Sequence, residues 1–100
     1  MYLPDTPRQA YRDLLAVFEQ EFTFTFGGCT LLRGLEGNYL SQAGAPIRDR
    51  INLLISDTLQ SLEDNFAAIS RYAHTLRGIA LAALDEEAVL IVVYRVYHSV

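Results

Sequence analysis

The chain has 100 residues, a net charge of −4 and 51% hydrophobic residues, enough apolar content for one packed core and too little length for two. All positive charge is carried by eight arginines without a lysine, which excludes a phosphate-loop lysine, a Schiff-base lysine and a lysine general base. The acidic balance argues against a nucleic-acid partner, and the single cysteine excludes an intrachain disulfide or a cysteine-rich zinc site. No stretch is long and apolar enough for a membrane span and no secretory leader opens the chain, so a single cytoplasmic domain over residues 1–100 is expected.

Met1–Asp5 reads as a short lead-in. Thr6-Pro7-Arg8-Gln9 then predicts a helix start, with Thr6 as N-cap, Pro7 at the first helical position and Gln9 closing a capping box. Tyr11, Leu14, Leu15, Phe18 and Phe22 form one apolar stripe and predict a helix from Pro7 to about Glu21. Phe22-Thr23-Phe24-Thr25-Phe26 alternates like a strand, yet Phe22 and Phe26 also share a helical face; the balance tips toward helix, ended by Gly27-Gly28.

Residues 29–41 and 47–56 predict an antiparallel hairpin around the turn Gln42–Pro46, with Gly34 and Gly37 as bulge or close-approach positions. In its second strand Ile47, Ile51, Leu53 and Ile55 predict the buried face, and Arg48, Arg50 and Asn52 the polar outer one. A long helix is expected from Asp57 or Thr58 to near Leu84, on the stripe Leu59, Leu62, Phe66, Ile69, Ala73, Leu76, Ala80 and Ala83. Ala88–His98 is apolar on both parities and β-branched, the pattern of a central strand covered on both faces.

The expected order is therefore helix, optional short strand, hairpin, long helix, strand. It gives an α+β fold, an antiparallel sheet of three or four strands with two helices packed on one face. The other sheet face would then need a cover. Leu90, Val92, Tyr94 and Val96 are the predicted interface residues, since each large apolar side chain left in water forfeits roughly 1.5–3 kcal/mol. A second copy of the domain is the expected cover, as a homodimer or higher oligomer.

Phe26-Gly27-Gly28-Cys29-Thr30, then Gly34, then Gly37-Asn38-Tyr39, resembles a pattern of small bacterial α+β domains of unknown function. That resemblance implies a ferredoxin-like sandwich and brings no activity, cofactor or catalytic residue with it.

Candidate chemistry is sparse. Cys29 lacks a sequence-local base, and His74 has no helical partner at metal-ligand spacing, so neither a metal nor a cofactor is expected. Arg71, His74 and Arg77 share a helical face that suits an anion or, more simply, water. Asp85-Glu86-Glu87 lack the alternating spacing of a calcium loop, and the glycines around Arg33 match no nucleotide-binding pattern. The leading reading is a non-enzymatic domain that self-associates and acts through protein contacts, as a small regulatory or structural subunit. The alternative is a small enzyme or ligand-binding protein with a pocket between sheet and helices, using Tyr39, Arg50, His74, Tyr94 and Arg95.

Overall fold

A computed structural model describes residues 1–84 and 89–94. The elements run β1 (Tyr2–Pro4), α1 (Gln9–Phe26), β2 (Thr30–Leu40), β3 (Pro46–Ile55) and α2 (Phe66–Leu84). The three strands form one antiparallel sheet in the order β1-β3-β2. The α+β class, the hairpin and the two helices agree with the sequence reading. The order does not: the chain opens with a strand, because Met1–Pro4 pairs along β3 instead of leading loosely into α1. Tyr2 faces Leu53, Leu3 faces Asn52, and the backbones of Met1 and Leu54 exchange hydrogen bonds at 2.8 and 3.0 Å.

That pairing also corrects the expected last strand. With β1 against one side of β3 and β2 against the other, the central position is filled. Residues 89–94 lie outside β1 and touch it through one bridge, in which the Tyr2 N–H donates to the Leu90 carbonyl at 2.8 Å. Val89 is buried and Ile91 half-buried, whereas Leu90, Val92 and Tyr94 are exposed. The segment is therefore not a central strand covered on both faces over these residues; its continuation, with Arg95 and Val96, lies outside the described residues.

α1 buries the predicted stripe, Tyr11, Leu14, Leu15, Phe18 and Phe22. It runs on through the Phe-Thr repeat because Phe22 and Phe26 stack edge to face at 5.6 Å, one helical turn apart. The Thr23 hydroxyl bonds back to the Glu19 carbonyl, leaving Phe24 outside. Gly27 ends the helix at φ 89° and donates to the Thr23 carbonyl. The predicted capping box does not form. Thr6 accepts the Arg8 N–H in a tight local turn, Arg8 is the N-cap, and the Gln9 side chain turns to Asp13.

α2 starts later than predicted for a similar reason. The Thr58 hydroxyl accepts the Gln60 N–H and leaves Leu59 fully exposed, and a turn at Ser61–Asn65 leads into the helix. Its buried residues are Leu76, Ala80 and Leu84, with Phe66 turned outward. The Arg8 guanidinium donates to the Leu84 carbonyl and ties the end of α2 to the start of α1.

The largest correction concerns β3. Asn52 and Leu54 are its buried residues, so the even-numbered side chains face the helices and Ile47, Ile51, Leu53 and Ile55 face away. Asn52 is 1% exposed and fully bonded: its carbonyl accepts the Gly34 N–H at 2.8 Å, and its amide donates to the Tyr11 hydroxyl at 2.6 Å and to Asp5 at 3.4 Å. Gly34 lies in the bulge between Leu32 and Leu35, with φ +65°. Replacing Asn52 with Leu should lower the unfolding free energy by about 2–3 kcal/mol, since the Gly34 N–H and Tyr11 hydroxyl lose their partner. Gly34→Ala should cost about 1–2 kcal/mol through its left-handed backbone. Urea titration monitored by circular dichroism measures both.

Candidate functional site

The register determines what each face of the sheet presents. Opposed residues in an antiparallel pair point to the same side. On the side away from the helices, Tyr2, Leu53 and Leu32 form one cross-strand row, which the Tyr2–Leu90 bridge extends with Leu90. Pro4, Ile51 and Leu35 form the next row, followed by Asp49 with Gly37 and then Ile47 with Tyr39, while Ile55 with Thr30 lies at the other end, beyond Leu53. Leu32 is 42% exposed and Tyr39 53%, while Tyr2, Leu35, Ile47 and Ile55 are each 37% exposed. Ile51 and Leu53, in the middle, are half-buried. Asp49 is the one charged side chain that the three strands place on this face.

From Ile55 to Pro4 these side chains form one apolar patch, which the Asp49–Gly37 row divides from Ile47 and Tyr39; apolar patches of about 300–600 Å² on a monomer are often functional. The opposite face carries Leu3, Leu31 and Leu54 together with the Asn52 network, under Tyr11, Phe18 and the remainder of the core. Both helices cover that one side, and none of the described elements covers the other.

The predicted ligand residues do not converge. Tyr39 and Arg50 sit on opposite faces of the sheet, and Arg50 pairs with Asp5 at 3.5 Å beside the bulge. His74 is on α2, lining a shallow groove with Phe66, Ile69, Ala73, Ile91 and Val93. Tyr94 is 67% exposed just beyond that groove, and Arg95 lies outside the described residues. Arg77 is drawn away from a possible anion site, because its Nε donates to the Val89 carbonyl at 3.0 Å and holds the last segment against α2. Of the predicted interface residues, Leu90 adjoins the open face beside Tyr2, Val92 and Tyr94 are exposed, and Val96 is outside the described residues.

Cys29 is half-buried, its thiol 3.6 Å from the Thr23 hydroxyl and 3.7 Å from the Glu19 carbonyl, a setting without a base. Among the described residues no three His, Cys, Asp or Glu side chains gather closely enough to hold a metal ion. No helix among them is long and apolar enough to cross a membrane.

Two tyrosines bear on the core. Burial raises the Tyr11 phenol above its usual range, an effect the bond from Asn52 partly offsets. Tyr72 is pushed up to about 12, first by burial and then by its hydrogen bond to the Glu21 carboxylate at 2.8 Å, which links α2 to α1.

The residues of the open face that sequence reasoning missed are Tyr2, Leu32, Leu35, Ile47, Ile51, Leu53 and Ile55. Their alternation was visible in β3, but alternation identifies a face without saying whether helices or solvent lie above it. Comparison of the chain with family models, curated proteins and solved structures found no match.

Because the folded chain favours the protonated phenol, Tyr72 contributes its full stabilisation below pH 10 and loses it as pH rises from 10 toward 12. Tyr72→Phe should therefore remove a component near pH 12 from the tyrosinate absorbance titration. It should also make stability decline less steeply across that interval.

Proposed function

We propose that this protein is a self-associating domain that works through protein contacts, and that its working surface is the open face of the sheet. The observation that carries the reading is the polarity of the two faces. The side on which the helices pack carries a buried Asn and, exposed beyond it, Arg48 and Arg50, whereas the side without a helix layer carries two three-strand rows of Leu, Ile, Tyr and Pro. Such a strand pattern makes physical sense when both sides are buried.

A second copy is the partner that suits this surface. The patch has no basic side chain within the strands, and around Ile51 and Leu53 it is purely apolar, with Asp49 as its one charge, so its main part complements an apolar surface of its own kind. Two sheets packed face to face with strands about 30° apart interdigitate such rows. Apolar patches of that kind are of the order that a two-fold contact uses at its core, inside the roughly 800 Å² per partner of a standard interface once the rim is added.

The finer fold assignment belongs to the same reading. The described elements run β-α-β-β-α with sheet order β1-β3-β2, and the Tyr2–Leu90 bridge sets the last segment beside β1. A fourth strand there would give the ferredoxin-like arrangement, with the open face entirely on one side. A cytoplasmic setting fits the single thiol. The alternative of a small enzyme or ligand-binding protein has less support, since Tyr39, Arg50, His74 and Tyr94 do not line one cavity.

Ile47→Glu combined with Ile55→Glu places two charges at the ends of the open face, where each side chain is already partly wet. The wild-type protein should sediment as an oligomer at micromolar concentration, and the double variant as a smaller species with unchanged circular dichroism. A wild-type protein that sediments as a single chain at these concentrations overturns the reading.

A further inference from the structure

We propose that the outer edge of β2 is a second symmetric contact, pairing antiparallel with β2 of another copy and continuing the sheet through both chains. The inference shares the second-copy partner with the functional reading but stands on a different surface and a different observation. β2 is an edge strand of 11 residues, twice the usual length, and among the described elements only β3 pairs with it. It contains no proline, and the two charged side chains that could blunt the edge, Arg33 and Glu36, have opposite signs. The Gly34 bulge faces β3, where two residues oppose Asn52.

The strand is complementary to itself. Its middle residue is Leu35, so an antiparallel copy that overlaps fully puts Leu35 opposite Leu35 on the two-fold axis. One step outward, Glu36 of each chain then meets the bulge of the other at Arg33, forming an opposite-charge pair twice. Both side chains are exposed, and neither enters an ion pair among the described residues. Glu36 does face Arg50 across β3, but that guanidinium is turned to Asp5 at 3.5 Å. Glu36 is thus left to its outer side, where the partner's arginine would arrive. Each bulge opposes one residue of the neighbouring copy just as it opposes Asn52 of β3. The product is a sheet of order β1-β3-β2-β2-β3-β1, with all four helices on one side. The apolar face then becomes continuous across both chains, and face-to-face packing of two such pairs closes a four-chain assembly.

Charge reversal tests the edge separately from the face. R33E places like charges opposite each other twice and should weaken the edge step by about tenfold or more, halving the assembly mass at low micromolar concentration. R33E/E36R restores opposite charges with the polarity exchanged and should recover the wild-type mass, which a merely structural role for Arg33 would not produce. Sedimentation velocity measures the masses, with circular dichroism confirming that each variant is folded. Wild-type mass and dissociation constant in R33E would overturn the proposal, as would a folded R33E/E36R that stays at half mass. An unchanged mass in the Ile47→Glu, Ile55→Glu variant, with R33E at half mass, overturns the functional reading and leaves the edge contact standing, whereas a single-chain wild type overturns both.

Discussion

The side-chain amide of Asn52 decides which side of this sheet the helices cover. A buried amide must find partners for its carbonyl and both N–H groups, and this one finds them in Gly34, Tyr11 and Asp5. Those partners come from a bulge in β2, the first turn of α1 and the loop after β1. The arrangement joins three parts of the chain around one group and sets the parity of β3. Because side chains alternate, once Asn52 points inward Leu54 must follow it and the isoleucines must point out. The bulge belongs to the same arrangement, since its glycine presents the N–H that the amide accepts.

The consequence for function is that the more apolar side of the sheet is the side without helices. The reverse parity would bury Ile47, Ile51, Leu53 and Ile55 but would strip Asn52 of its partners. A parity fixed by a polar network, with a largely apolar face left over, is the physical argument behind the proposed partner on that face. It also explains why the candidate chemistry is so thin. The space between sheet and helices is filled by core side chains, and the polar groups near it, Asn52, Tyr11, Asp5 and Arg50, are bonded to one another.

A surface proposed to work by contact needs rigidity more than reactivity, and polar side chains fasten the elements around the sheet to one another. The Arg8 bond to the end of α2, the Tyr72–Glu21 bond between the helices and the Arg77 bond to Val89 each fasten one element to another. Each uses a polar side chain that, on sequence alone, competed for a chemical role or for none. Arg77 is the clearest example: one of three residues suited to an anion by helical spacing, it is occupied by a backbone carbonyl of the last segment.

Local physical chemistry was legible from the residues themselves: the stripe from Tyr11 to Phe22, the glycine stop at Gly27, the hairpin around Gly44 and the bulge at Gly34. These depend on spacing and on backbone freedom that a residue carries with it. That one sheet face would be apolar and without helices was legible too, though which residues form it was not. Only the tertiary structure decided that Met1–Pro4 takes the place beside β3, that residues 89–94 lie outside it, and that Asn52 rather than Ile51 faces the core. Strand pairing and the satisfaction of a buried amide join residues some fifty positions apart, and periodicity within a single strand contains no record of what lies across from it.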